Sequence, residues 1–416
     1  MVNSKVIKSA GFNSQPVWFK AINSIWQNTY AIGTKIKIDK DLLIKAARKN
    51  TGLHHLGKDF WEEPLERLIF SVNNEAQLHP VGRFITQKRL ENLLCVRLRS
   101  ESFFKKYPEI LEQPLYPVMV IIGLQRTGTT KLHRILAGDP DNRSLSSWEA
   151  LNPAPINGEV KSGEKRIKIA RLNENALKIM SPGFFAIHPV EHLAPEEDVL
   201  LLDVSFLSTT AEAIMNVPSY SEWLEKTDQS PAYEYLVKLM KLLQWQQPAK
   251  RWVLKTPHHL EFLDLADKYF EDVHFIWTHR DVHQAIPSFL SMVAHSRILF
   301  SNQVNAGEVA QHWVRKIGYM LTRAMEYRQK NAGNKQITDV LYNNLVTDSR
   351  SVLNKIYQNQ NLGISPELQQ KFDFSEKLNP RGKYGIHHYA HEDFGIDQDY
   401  IDSFTMKYQV FQNNLK

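Results

Sequence analysis

The residues best equipped for chemistry lie in one short run, Gly123-Leu-Gln-Arg-Thr-Gly128-Thr-Thr130. It follows the apolar, β-branched stretch Pro117–Ile122 and precedes Lys131–Ala137, which reads as helix. The two glycines permit a tight turn and close approach of the backbone to a ligand. At the start of a helix, backbone N–H groups lack intrahelical acceptors and the helix dipole favours an anion. Arg126 adds a planar fork of donors, while Gln125, Thr127, Thr129 and Thr130 add amide and hydroxyl groups around Gly128. Residues of these types in this order are suited to holding a phosphate-type anion. The alternative is a turn that merely joins strand to helix. The GxxxxG spacing is half of a nucleotide-triphosphatase loop, but Thr129 and Thr130 stand where that loop has Lys and Ser or Thr. The missing lysine counts against hydrolysis of ATP or GTP.

Other chemistry-bearing residues are scattered downstream. Arg280 ends the apolar stretch Val273–Thr278-His279, and Ser288 follows eight residues later. An arginine and a hydroxyl can hold a phosphate, although an arginine after a strand, taken alone, usually makes a surface salt bridge. Lys255-Thr-Pro-His258-His259 ends another strand-like stretch, Arg251–Thr256, and combines a cation with imidazoles. His188-Pro-Val-Glu-His192 runs on to Glu196-Glu197-Asp198, where a carboxylate or an imidazole could act as a base. The same acids would equally suit the first turn of a helix. Arg381-Gly382-Lys383 is a basic segment whose glycine permits a closing loop. His258, His259, His387, His388 and His391 could hold zinc with an acid, but they match no standard helical zinc spacing such as HExxH.

These groups need a scaffold. The four apolar stretches at 117–122, 251–256, 273–278 and 337–342 alternate with helical patterns, including 232–246 and 308–328. Such alternation predicts an α/β fold with a central parallel sheet flanked by helices. Three units are expected. Residues 1–38 form an amphipathic segment and 39–115 a helical N-terminal subdomain. Residues 116–416 form the main α/β domain, with a helical insertion at about 150–230. Trp18, Ile22, Ile25 and Trp26 fall at helical spacing. They suit a helix packed on its own domain or on a second subunit, a lid, or a membrane-surface contact through residues 16–30.

Composition narrows the classes. The chain has 416 residues, 43% hydrophobic and 23% charged, as ordinary globular proteins do. The formal charge of +6 suits an anionic ligand without signalling nucleic acid. The single cysteine, Cys95, excludes intrachain disulfides and CxxC redox chemistry. The amino terminus lacks the apolar core of a secretory signal, and no apolar run reaches the roughly 20 residues of a membrane span. A cytoplasmic protein is expected.

The strand followed by Gly-Leu-Gln-Arg-Thr-Gly-Thr-Thr resembles the 5′-phosphosulfate loop of sulfotransferases that use 3′-phosphoadenosine 5′-phosphosulfate (PAPS). Arg280 with Ser288 resembles the family's 3′-phosphate site. Leu254-Lys-Thr-Pro-His-His-Leu260, Trp148-Glu-Ala-Leu-Asn-Pro-Ala-Pro155 and Asp339-Val-Leu-Tyr342 are similar to segments of bacterial-type sulfotransferases, over about 40–412. The resemblance implies a P-loop NTPase-like fold and PAPS as sulfuryl donor, without a metal. It implies donor contacts from Gln125 to Thr130, Arg280, Ser288, Tyr342, Arg381, Gly382 and Lys383. It makes Lys255 the cation for the leaving group. The family's Lys-Thr-His stretch places a base at its histidine, but Pro257 intervenes here, so His258 and His259 compete with Glu197 and His192. The acceptor would be a small molecule, carbohydrate or lipid-like compound. Aromatics such as Phe184, Phe185, Phe206, Trp223, Phe289 and Phe300 hint at an apolar one. The competing functions are a P-loop-type kinase and a non-catalytic nucleotide-binding protein. Oligomeric state stays open.

Overall fold

The computed structural model describes residues 6–8, 15–30, 37–58, 60–156, 158–331, 337–380, 386–388 and 390–415. Its strands are β1 (Val6–Lys8), β2 (Val118–Ile122), β3 (Asn142–Ser144), β4 (Arg251–Lys255), β5 (His274–His279), β6 (Ile337–Leu341) and β7 (Ile386–His388). Five of them form one sheet in the order β3-β4-β2-β5-β6, parallel throughout. β1 and β7 pair separately. Each of the four strands expected from apolar runs is present, with ends within a residue or so of expectation. β3 was not expected, because Asn-Arg-Ser carries no apolar signal and pairs only at the sheet edge.

The continuous apolar character of β2 follows from burial on both faces. Val118, Val120 and Ile122 join the large core that also holds Leu254, Phe275 and Trp277. Met119 and Ile121 join a second core with Leu132, Ile135, Val253 and Ile276. The residues ahead of the sheet are helical: α1 (Val17–Tyr30), α2 (Lys40–Thr51), α3 (Glu62–Asn74) and α4 (Pro80–Lys106). The Asp39 carboxylate caps α2 by accepting from Leu42 N at 2.9 Å. The leucine periodicity at 90–98 is part of α4, whose inner face, including Leu90, Leu94 and Leu98, is buried.

The chain passes from β2 to its left-hand neighbours β3 and β4, then crosses to β5 and β6 on the other side. That reversal opens a crevice at the carboxyl end of β2, the place where open parallel sheets bind ligands. Helix α5 (Thr129–Leu136) starts there. Between β3 and β4 lie mainly helices, among them α6 (Glu164–Met180) and α7 (Pro182–Ile187). α8 (Val282–Ile298) follows β5, and α9 (Tyr342–Thr347) follows β6.

Candidate active site

The loop between β2 and α5 turns through three left-handed positions: Gly123 (φ +137°), Arg126 (φ +70°) and Gly128 (φ +94°). A side chain at Gly123 would collide with Thr278, whose carbonyl oxygen lies 2.6 Å from where a Cβ would sit. Thr127 is fully buried, donates to the Leu124 carbonyl at 2.6 Å and shares a 2.6 Å bond with Thr278 Oγ1. Its hydroxyl is therefore engaged inside the loop, and what Thr127 can offer an anion is its backbone N–H. Thr130 is exposed, Thr129 is buried, and Gln125 is half-buried with no partner for Oε1 among the described residues.

Arg126 occupies a backbone conformation that non-glycine residues rarely adopt, and it is held there by several contacts. Arg280 Nη1 donates to the Arg126 carbonyl at 2.8 Å. Arg126 Nε donates to Ser288 Oγ at 3.0 Å, and Nη1 lies 3.4 Å from the Ile187 carbonyl. Ser288, buried on α8, thus faces Arg126. The Arg280 guanidinium stands 4.6 Å from the Tyr342 ring centroid and donates to Gln284 Oε1 at 3.1 Å. Tyr342 also lies beside Gly128, at 3.0 Å from where a Cβ would sit. The ends of β2, β5 and β6 therefore bring Arg126, Gly128, Arg280, Ser288 and Tyr342 to one place.

The end of β4 supplies a third arm. Lys255 Nζ donates to Glu197 Oε1 at 2.5 Å, and Thr256 Oγ1 donates to Glu197 Oε2 at 3.3 Å. The lysine side chain is almost fully buried, while that of Glu197 is 21% exposed and reaches solvent. Asp198 accepts from Lys255 N at 3.1 Å and meets His259 Nε2 at 2.7 Å. His259 Nδ1 meets the Tyr233 hydroxyl at 2.7 Å. His259 and Asp198 are wholly buried. Although burial works against it, the neighbouring His259 leaves the Asp198 carboxyl below its ordinary pKa. With both ring nitrogens engaged, His259 has none left for a substrate proton, contrary to its expected candidacy as base. His258 is also buried; Nδ1 lies 3.3 Å from Thr209 Oγ1, and burial holds its imidazole well below the ordinary value.

His192 has a different partner. Its Nδ1 meets Glu174 Oε2 on α6 at 2.6 Å, and Glu174 also accepts from Lys178. His188 is a histidine on which charges of the site act. Burial lowers its pKa, Glu196 and Glu197 raise it, and Lys255 and Arg126 lower it further. Nothing in the sequence distinguishes His188 from His192 except the neighbouring Pro189, because the deciding contact, Glu174, comes from α6. Arg381, Gly382 and Lys383 lie outside the described residues. Trp148 is buried beneath the Arg166 guanidinium, which lies 4.8 Å from its ring centroid. Phe206, Phe289 and Phe300 belong to the core, while Phe184 is half-buried. Among the described residues, no group of three or more His, Cys, Asp or Glu gathers as a metal site.

Residues 117–366 match the sequence model of the sulfotransferase family. The chain belongs to the sulfotransferase family. The match covers every strand of the main sheet and every described site residue named above. Sulfotransferase STF1 from Mycobacterium tuberculosis H37Rv aligns with a TM-score of 0.78 and 28% identity, over 89% of this chain and 99% of that one. Sulfotransferase STF9 from Mycobacterium avium aligns with a TM-score of 0.81 and 23% identity, over 90% of this chain and 97% of that one. These likenesses bear out the expected α/β fold with its parallel sheet and preceding helices. No curated protein sequence matches the chain.

Proposed function

We propose that this sulfotransferase-family enzyme moves a sulfuryl group from PAPS to a hydroxyl or amine of its acceptor, releasing adenosine 3′,5′-bisphosphate. The observation that carries this reading is the convergence of Arg126, Arg280, Lys255 and Glu197 at the carboxyl ends of β2, β5 and β4. Two guanidinium groups beside a helix N-terminus suit a donor that carries phosphates at two positions. The donor supplies an activated sulfuryl group; the chain supplies charge, position and a base. Arg126 and the first-turn N–H groups of α5 would hold the phosphosulfate end. Arg280, Ser288 and Tyr342 would hold the nucleotide's second phosphate and its surroundings, with Arg381, Gly382 and Lys383 as further candidates.

Glu197 is the base this geometry favours. It is the acid that reaches solvent, and its carboxylate is fixed by Lys255 and Thr256. It would take the acceptor proton as the new S–O or S–N bond forms and the bond to the departing phosphate breaks. Lys255 and Arg126 would offset the charge left on that phosphate. Asp198 and His259 position this pair, because Asp198 holds the Lys255 backbone and His259 holds Asp198. The missing P-loop lysine at Thr129 speaks against the kinase alternative. Incubating the full chain with PAPS and a panel of hydroxyl acceptors, and measuring bisphosphate release, tests the reading. Release that depends on an acceptor and is absent in Glu197→Gln supports it. Magnesium-dependent turnover of ATP in place of PAPS contradicts it.

A further inference from the structure

The amphipathic segment at the amino terminus is not used by the chemistry above. Inside, α1 packs through Phe19 and Asn23, both nearly inaccessible. Phe19 makes an edge-on contact with His79 at 5.6 Å, and Asn23 Oδ1 accepts from Val81 N at 3.1 Å. Outside, the same helix presents Val17 (85% exposed), Trp18 (43%), Ile22 (41%), Ile25 (63%) and Trp26 (38%). Trp26 meets Phe84 of α4, itself 50% exposed, with ring centroids 6.1 Å apart, so the apolar surface continues onto a second helix.

Charge says what this surface suits. Residues 1–38 contain five lysines and no aspartate or glutamate. Lys20 lies on α1 and is exposed, and the half-buried Arg83 directly precedes Phe84 in α4. Tryptophans beside aliphatic residues, in a basic and acid-free segment, fit the boundary between headgroups and acyl chains of an anionic bilayer. A second copy of the chain would bring the same positive charge to the contact, which disfavours a self-paired interface.

The position of α1 connects that surface to the site. Gln15, just ahead of α1, shares a small cavity with Met180, Ser181, Gly183 and Phe184, at the junction of α6 and α7. α7 ends at Ile187, whose carbonyl lies against Arg126. A short series of neighbouring residues therefore runs from the start of α1 to the phosphate loop.

We infer that the outer face of α1, with Phe84, docks the enzyme on an anionic lipid surface and brings a membrane amphiphile within reach as acceptor. This rests on the sulfotransferase reading for the acceptor, but the docking stands apart from it. The face has the extent and the tryptophans to enter the headgroup layer without crossing the bilayer. Among the described residues, no helix is long and apolar enough to cross a membrane.

The test is co-sedimentation of the full chain with vesicles of 70% phosphatidylcholine and 30% phosphatidylglycerol, against pure phosphatidylcholine, at low and high salt. The variants are Trp18→Ser/Ile25→Ser and, separately, Lys20→Glu. These side chains are outward-facing, and unchanged thermal melting shows that each variant folds. Binding that needs phosphatidylglycerol, weakens with salt and falls at least tenfold in the double variant supports the inference. Equal sedimentation with both vesicle types, or full retention by the double variant, overturns it. So does a dimer that becomes a monomer in the double variant without any vesicle binding, since that outcome gives the face to a second copy. Adenosine 3′,5′-bisphosphate affinity, measured on the same samples without vesicles, separates the two readings. Vesicle binding without bisphosphate binding keeps the docking surface and removes the sulfuryl donor.

Discussion

Lys255 Nζ donates to Glu197 Oε1 at 2.5 Å, tying the end of β4 to an acid on the segment that precedes the Val199–Leu202 helix. One partner is buried and the other reaches solvent. The lysine is thus a fixed cation behind the carboxylate. A carboxylate held in this way is ready to accept a proton from a hydroxyl without first reorganising.

Replacing Glu197 by Gln keeps the shape and removes the proposed base. Turnover with PAPS and any active acceptor should fall by about 10²–10⁴-fold, the usual span for a lost general base. Affinity for adenosine 3′,5′-bisphosphate should stay close to that of the parent, because the proposed role of Glu197 is toward the acceptor and not the donor. Steady-state rates and calorimetry on the same preparation check both halves.

Arg126→Ala and Arg280→Ala should each weaken bisphosphate binding by about 1.5–3 kcal/mol, the range for a hydrogen bond to a charged group. Arg280 carries a second consequence, because it also holds the Arg126 carbonyl. The double variant should therefore lose less than the sum of the single losses, as residues in one network do. Titration calorimetry of the three variants measures the difference.

Much of the scaffold is legible in the sequence, and the reasons are local. Strand β2 announces itself because both faces are buried and its apolar run is unbroken. The loop after it announces itself through residue types that few other turns need: two glycines, an arginine and threonines. What is not legible is which polar side chain turns inward. Thr127 looks like a ligand for an anion, yet its hydroxyl closes on Leu124 and on Thr278 from β5. His259 looks like a base, yet Asp198 and Tyr233, remote in sequence, occupy both its nitrogens. His192 lies nearer the acids along the chain, yet its ring meets Glu174 from α6, while Glu196 and Glu197 act on His188. Each depends on contacts between elements, which spacing along a chain does not record.

Asp198→Asn should destabilise the fold by about 3–5 kcal/mol near neutral pH, since it leaves a buried pair broken. The sign of the pH dependence follows from the lowered pKa. The folded carboxyl ionises more readily than its reference value of 3.8, so its contribution is present above that pH. It is lost as pH falls through the lower, folded value. The stability gap between parent and variant should accordingly narrow in acid. Urea unfolding at several pH values tests this; a gap that is constant or grows in acid would contradict the role given to the ionised Asp198 carboxylate.

Gly123→Ala should prevent the loop from closing, because a methyl group would strike Thr278 and φ is +137°. A loss of about 1–3 kcal/mol in stability is expected from overpacking alone. Thermal melting reports it, and bisphosphate binding should weaken with it.

The most direct test of the account is calorimetric titration of the full chain with adenosine 3′,5′-bisphosphate, with ATP and ADP in magnesium as controls. Micromolar binding that is selective for the bisphosphate, and lost in Arg126→Ala, is the predicted result. No binding of the bisphosphate by folded protein, or tighter binding of magnesium ATP, would contradict the proposed donor and the roles assigned to Arg126 and Arg280.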